Sequence, residues 1–90
     1  MKINEKYSLR EMGNLHLLVY RGGENADLSS GIKLNESAAL LWGEASRLKE
    51  FDVESLADFL VQNYEIDKKT ALQDCERLVE TWQKNGLAFK

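Results

Sequence analysis

The sequence predicts an α+β domain in which a three-stranded antiparallel sheet is followed by a three-helix bundle. Two observations support this prediction. The first half of the chain contains short runs in which apolar and polar residues alternate, the period of a half-buried strand. The second half contains three segments in which an Asn or Asp cap precedes apolar residues at helical spacing. The 90 residues contain no internal repeat, so we expect a single domain over residues 1–90.

The first two predicted strands form a β-hairpin. They run from Tyr7 to Met12 and from Leu15 to Tyr20, and Gly13-Asn14 between them tolerates the positive φ of a two-residue turn. The second strand has apolar residues on both faces, which indicates either additional core or a contact surface on the outer face. One face carries Leu15, Leu17 and Val19, and the other carries His16, Leu18 and Tyr20.

A loop and a third strand connect the hairpin to the helices. The segment from Arg21 to Ser30 is rich in Gly, Asn, Asp and Ser, which break regular structure, and it is predicted to be a loop. Ile32-Lys33-Leu34 alternates apolar, charged and apolar residues, which is typical of a strand. We expect this strand to pair with the hairpin, because a two-stranded hairpin alone is only marginally stable.

Each of the three predicted helices begins with an apolar residue, a cap and a second apolar residue four positions into the helix. The first helix begins at Glu36 and carries Trp42 at the expected centre of the core. The second spans about Val53 to Asn63, and the third spans about Lys68 to Asn85, where Gly86 can end it. The three starts are Leu34-Asn35-Ala39, Phe51-Asp52-Leu56 and Ile66-Asp67-Ala71, and the tail Leu87-Ala88-Phe89 is expected to pack back on the core.

The third helix carries two sets of apolar residues. Its main stripe comprises Ala71, Cys75, Leu78 and Trp82, and we expect this stripe to face the core. Leu72 and Val79 lie about 90° from the main stripe. They form either part of a wide core face or the apolar wall of a groove with Glu76 at its rim.

The residue content excludes most catalytic sites. Cys75 lies on an apolar stripe, so a buried and unreactive thiol is expected, and His16 has no catalytic motif around it. One cysteine and one histidine are too few for a conventional zinc site. Gly22-Gly23 is not followed by a helix, which excludes a P-loop. The sequence therefore predicts neither an enzyme nor a resident metal or cofactor.

Charge and hydropathy narrow the class of partner. The net charge is −3, and the charges on the third helix balance, which argues against binding to nucleic acid because phosphate contacts need clustered Lys and Arg. The second helix carries Asp52, Glu54 and Asp58, either as a solvated face or as a docking patch for a basic partner. No apolar run approaches the roughly 18 residues that span a bilayer, and Met1 to Lys6 lacks the apolar core of a secretory signal, so the cytoplasm is the expected compartment.

Several motifs occur in an order and spacing that are more specific than any one of them. They are the run A-D-L-S-S-G-I-K-L-N-E-S-A-A-L-L-W, the acidic second helix, the turn Y-E-I-D and the closing pattern D-C-E-R-L-V-E-T-W-Q-K-N-G-L. From Tyr7 to Leu87 the chain resembles the PqqD family, named for pyrroloquinoline quinone biosynthesis protein D.

This resemblance implies a winged helix-turn-helix-like peptide-binding module, a RiPP recognition element for ribosomally made and post-translationally modified peptides. Such a module makes no catalytic contribution. It holds the leader segment of a precursor peptide as an added strand, between the third strand and the third helix, and presents it to a modifying enzyme, frequently a radical S-adenosylmethionine (SAM) protein. The implied peptide-binding residues here are Ile32, Lys33, Leu34, Leu72, Glu76 and Val79. The alternative is a winged-helix DNA-binding transcriptional regulator, and the peptide pathway stays open.

Overall fold

A computed structural model describes residues 1–21 and 31–90. Within these ranges a three-stranded antiparallel sheet is followed by three helices, as predicted, and a second, two-stranded sheet joins the two ends of the described chain. The predicted loop from Arg21 to Ser30 lies outside the described residues except for Arg21 itself. The elements are β1 (Lys2–Ile3), β2 (Tyr7–Met12), β3 (Leu15–Tyr20), β4 (Ile32–Leu34), α1 (Glu36–Leu48), α2 (Val53–Asn63), α3 (Lys68–Lys84) and β5 (Ala88–Phe89).

The larger sheet has the strand order β2-β3-β4. The bounds of the predicted hairpin are confirmed, and its register places Met12 opposite Leu15 across the turn. Gly13 has a φ of +62°, and it alone of the two turn residues has a positive φ. That is the pattern of a type II′ turn, in which only the first central residue needs glycine's conformational freedom. β4 is joined to β3 in a register that places His16 opposite Leu34.

The smaller sheet pairs β1 with β5 in antiparallel register. The predicted return of the C-terminal tail is confirmed, because Leu87 and Ala88 are buried. β1 itself was not predicted. Asn4 strengthens the junction: its backbone N–H donates to the Leu87 carbonyl at 2.7 Å, and its side-chain Nδ2 donates to the Gly86 carbonyl at 3.0 Å.

The predicted helix starts are confirmed, and local hydrogen bonds explain two of them. Asn35 Oδ1 accepts the backbone N–H of Ala38 at 2.8 Å. At the start of α2, Asp52 Oδ1 accepts the Ser55 N–H at 2.7 Å while Ser55 Oγ accepts the Asp52 N–H at 3.1 Å, which completes a capping box. Asp67 occupies the cap position of α3 without a side-chain hydrogen bond to the helix.

Replacing Asp52 with alanine is expected to destabilise the protein by about 1 kcal/mol at neutral pH, because the side-chain oxygen that accepts the Ser55 N–H is lost. Hydrogen bonds from Ser55 lower the pKa of Asp52 below its ordinary value of 3.8. A carboxyl with a lowered pKa contributes stability above its unfolded pKa and loses it as pH falls through its folded pKa. Urea denaturation of both proteins should therefore show the difference at pH 7 and a progressively smaller difference as the pH falls below 3.8.

The core is centred on two tryptophans. Trp42 of α1 is 2% exposed and Trp82 of α3 is 1% exposed, and their rings meet edge to face with centroids 5.2 Å apart. Phe51 contacts Trp82 in a similar T-shaped arrangement at 6.1 Å. The predicted central position of Trp42 is confirmed. α1 also has apolar residues away from Trp42, at Ala39 and Leu40, and the core covers these only in part, because Ala39 is buried and Leu40 is 42% exposed.

The buried stripe of α3 differs from the prediction. It comprises Ala71, Cys75, Val79 and Trp82, whereas Leu78 and Leu72 are only partly buried. At about 100° per residue, this stripe is centred near Cys75, with Leu78 and Leu72 at its opposite edges. Val79 therefore belongs to a wide core face, which is the first of the two alternatives given for it above. Leu78 moves to the edge because the arc that faces the core is rotated toward Val79.

Candidate functional site

The outer edge of β4 is an open strand edge. β3 pairs with one side of β4, and no strand within residues 1–21 and 31–90 pairs with the other side. Along this strand Ile32 is partly buried, Lys33 is exposed and Leu34 is buried. An edge strand presents unpaired N–H and C=O groups that can template a further strand. Three of the predicted site residues therefore lie on a strand whose second edge is not paired with any described strand.

A groove of about 450 Å³ adjoins the end of β4. It is termed the apolar groove, and it includes Asn35, the residue directly after β4, together with parts of α1, α2 and α3. Its walls are mostly apolar and its rim is polar, a composition typical of peptide and ligand pockets. The apolar members are Ala38, Leu41, Leu60, Ile66 and Leu78, and the polar members are Asn35, Ser37, Tyr64 and Asp74.

The polar rim is ordered by the cap of α1. Asn35 Oδ1 accepts the hydroxyl of Ser37 at 3.1 Å in addition to the Ala38 N–H. Asp74 is exposed and is the charged residue that lines the apolar groove. The rim therefore combines a fixed amide and hydroxyl with one carboxylate, and the groove can accept an apolar side chain while its rim hydrogen-bonds a peptide backbone.

Cys75 lies beside Asp74 but faces the core. It is fully buried, and burial together with the charge of Asp74 raises the pKa of its thiol to about 11. A thiol with so high a pKa stays protonated near neutral pH and is a poor nucleophile. The predicted burial of Cys75 is confirmed.

The predicted site residues on α3 are not brought to the apolar groove. Leu72 is partly buried, Glu76 is exposed and Val79 is 3% exposed, and none of them lines it. α3 contributes Asp74 and Leu78 instead, on the side of the helix about 120° from Leu72. A role of Leu72, Glu76 and Val79 in peptide binding stays a prediction.

Sequence reasoning missed the residues of the apolar groove for a specific reason. Helical periodicity places Leu78 in the core stripe, and the turn signal places Tyr64 and Ile66 between α2 and α3. A helical wheel centred on Cys75 would have placed Leu78 at the edge of the stripe, next to Asp74. The convergence of these residues with Ala38 and Leu41 of α1 required the three-dimensional packing.

His16 lies near β4 without a catalytic arrangement. Its Nδ1 is 3.4 Å from Glu11 Oε1, and its side chain is 20% exposed. A shallow depression beside it is lined by Lys33 and Leu34 of β4 and by the hairpin turn. Among residues 1–21 and 31–90, no group of His, Cys, Asp and Glu is placed to hold a metal ion. In the same residues no helix has the length and apolarity needed to cross a membrane.

The acidic face of α2 is partly neutralised within the chain. Lys68, the first residue of α3, forms an ion pair with Asp58 and has its Nζ 4.0 Å from Glu54 Oε1. These contacts favour the solvated-face interpretation of α2 over a docking patch for a basic partner.

Comparison with solved structures gives the same fold. The structure titled "TbiB1 in Complex with the TbiA(beta) Leader Peptide" matches with a TM-score of 0.75 and 16% identity, over 100% of this chain and 98% of the other. The structure titled "Lasso peptide synthetase B1 complexed with the leader peptide" matches with a TM-score of 0.74 and 21% identity, over 99% and 96%.

Comparison of the sequence with curated proteins found no match. The family model described as "Coenzyme PQQ synthesis protein D (PqqD)" matches residues 16–88, which include β3 from its second residue, β4 and all three helices. The apolar groove and the open edge of β4 both lie within the matched segment. The chain therefore belongs to the PqqD family.

Proposed function

We propose that this protein is a non-catalytic adaptor, which binds the leader segment of a ribosomally made precursor peptide and presents it to a modifying enzyme such as a radical SAM protein. The observation that carries this proposal is the open edge of β4 beside the apolar groove. Family membership supports it, as do two proteins of the same fold whose structures are titled as leader-peptide complexes. In this proposal residues 1–90 act as a single peptide-binding domain in the cytoplasm.

The geometry suits binding by strand addition. In this mode backbone hydrogen bonds supply affinity, and pockets for alternate side chains supply specificity. The backbone of Ile32–Leu34 would pair with the leader, and the apolar groove would take an apolar leader side chain. Asp74 and Tyr64 at the rim would contact the neighbouring residues of the leader.

In this proposal the chain binds the peptide and the partner enzyme carries out the chemistry. Cys75 is buried and protonated, and among the described residues the ion-pair contact of His16 is with Glu11. Neither arrangement provides a nucleophile with a base. In the proposal the covalent chemistry belongs to the partner enzyme, and this chain lowers the entropic cost of bringing the peptide to it.

Amide exchange gives a direct test of strand addition. A precursor peptide encoded beside the gene is titrated into the ¹⁵N-labelled protein, and hydrogen exchange is followed residue by residue. We expect the outward-facing amides of Ile32–Leu34 to gain protection, because they acquire backbone partners, and the largest shifts elsewhere to fall on the apolar groove. Shifts confined to α2 or to the Gly13-Asn14 turn, without new protection in β4, would contradict the proposal.

The DNA-binding alternative predicts a different result. Lys68 at the start of α3 is engaged with acidic residues of α2, and α3 carries carboxylates beside its remaining cations. Since phosphate contacts dominate affinity for DNA, we expect weak binding to duplex DNA at about 0.15 M salt. Fluorescence anisotropy with a labelled duplex measures this, and submicromolar, sequence-dependent binding would favour the DNA-binding regulator.

A further inference from the structure

A second groove, of about 830 Å³, lies between the N-terminal segment, the C-terminal end of α1 and the C-terminal tail. It is termed the basic groove. It shares no lining residue with the apolar groove, so the two can be occupied at the same time. It is lined by Lys2, Ile3, Asn4, Glu5, Lys6, Tyr7, Arg21, Ser46, Lys49, Phe89 and Lys90.

The basic groove concentrates positive charge in an acidic protein. Five of the 12 lysines and arginines line it against a single acidic side chain, that of Glu5, although the whole chain has a net charge of −3. All five are exposed, and none takes part in the ion pairs found among residues 1–21 and 31–90. Unpaired like charges repel one another, so their grouping is a cost unless an anion binds there.

Part of this surface is held in place by backbone contacts. The Arg21 backbone N–H donates to the Lys6 carbonyl at 2.6 Å, and Arg21 Nη2 donates to the Glu5 carbonyl at 3.1 Å. The guanidinium and the Lys6 backbone are thereby fixed relative to each other. A positioned cation loses less entropy on binding a carboxylate than a free one.

Lys49 adds an independent observation. Its φ is +65°, the one positive φ at a non-glycine residue in the described parts of the chain, and the Glu50 N–H donates to the Leu48 carbonyl at 2.7 Å across it. This is a γ-turn with positive φ, a rare and strained conformation. Glycine would remove the strain but would also remove a cation from the basic groove. Strain retained at a surface position is a feature of functional sites.

We propose that the basic groove docks an acidic polypeptide segment of the enzyme that modifies the precursor peptide. This inference rests on the adaptor function proposed above, because an adaptor needs a second surface that the leader leaves free. Carboxylates of the segment would pair with the five cations, and the ring of Phe89, which is 52% exposed, would supply apolar contact. Nucleic acid suits the protein less well, since a long polyanion would also meet its acidic surfaces.

A labelled acidic peptide tests the charge complementarity. The probe is a fluorescein-tagged repeat of Glu and Ser, and its anisotropy is followed at low and at physiological salt. Because probe and protein both carry net negative charge, binding requires a local basic site. We expect binding that weakens with salt and that falls at least about tenfold in the double variant Lys6→Glu/Lys49→Glu.

The control variant Lys69→Glu/Arg77→Glu changes the net charge by the same amount as the first double variant, but on α3 and away from the basic groove. It should reduce affinity for the acidic probe by less than about threefold. Equal losses in both double variants would overturn the proposal, because binding would then follow net charge alone. Tighter binding of an oligothymidine or of phosphatidylglycerol vesicles than of the acidic peptide would also overturn it.

A third variant, Lys49→Gly, separates function from folding. We expect a higher Tm, because the strained φ suits glycine, together with weaker probe binding. A higher Tm with unchanged probe binding would overturn the assignment of Lys49 to the basic groove. If the double variant Lys6→Glu/Lys49→Glu fails to fold, probe binding by Lys49→Gly tests the proposal in its place. Binding of the precursor peptide should be unchanged in the two variants of the basic groove, Lys6→Glu/Lys49→Glu and Lys49→Gly, because neither changes a residue of β4 or of the apolar groove. A protein that binds the precursor but not the acidic probe would refute this inference and leave the proposed function intact.

Discussion

Replacing Leu78 with aspartate is expected to abolish measurable binding of the precursor peptide while the protein stays folded. Leu78 is partly buried and lines the apolar groove, so an aspartate there would place a charge where an apolar leader side chain is proposed to bind. Burying that charge on binding costs several kcal/mol, and Asp74 nearby adds like-charge repulsion. Isothermal titration should show a loss of at least about a hundredfold, or about 2.8 kcal/mol.

Two further aspartate variants make this result specific. Val61 of α2 is 39% exposed and does not line the apolar groove, so Val61→Asp should bind the peptide as the parent protein does. Leu72→Asp tests the opposite edge of α3. Loss of binding in Leu72→Asp with normal binding in Leu78→Asp would place the peptide on the edge that the sequence alone predicted. Val79→Asp is unsuitable as a binding probe, because Val79 is buried and a charge there would unfold the protein.

Local chemistry explains why much of the fold could be predicted from the sequence. The hairpin follows from period-two alternation around Gly13, and the start of α2 follows from a capping box within four residues. In each case the determining residues are neighbours in the chain. β1 could not be predicted in this way, because it has two residues and exists through pairing with β5 at the other end of the described chain.

The candidate site was less predictable because it depends on packing between distant segments. Helical periodicity gives the angles between Leu72, Cys75 and Leu78, but not which arc of α3 the rest of the core covers. The arc that the core covers includes Val79 and leaves Leu78 in the apolar wall of the groove. Alternation of apolar and charged residues predicts that β4 is a strand. It does not determine the order of strands in the sheet, and the open edge of β4 depends on that order.

The basic groove is even harder to predict from the sequence than the apolar groove. Lys6, Arg21, Lys49 and Lys90 are spread over the whole chain, and their sequence neighbours include acidic residues that mask any local basic run. β1–β5 pairing and the turn after α1 gather them on one surface. A protein with net negative charge can therefore carry a basic site that composition alone argues against.

Replacing Trp42 with alanine is expected to destabilise the protein by about 3 to 5 kcal/mol. Trp42 is 2% exposed, and its ring packs edge to face against Trp82, which in turn contacts Phe51. Alanine would leave a cavity at the junction of α1 and α3, and the loss combines the transfer free energy of the ring with the cost of that cavity. Domains of this size are stable by roughly 5 to 15 kcal/mol, so the variant should be close to unfolding.

Urea denaturation followed by circular dichroism measures this loss of stability. Two further variants, both expected to lose less, serve as comparisons. Trp42→Phe keeps an aromatic ring against Trp82 and should lose clearly less than the alanine variant. Phe89→Ala removes a ring that is 52% exposed and should cost less than about 1 kcal/mol. If Trp42→Ala cost no more than Phe89→Ala, Trp42 would not be part of the core, and the packing of α1 against α3 would have to be reassigned.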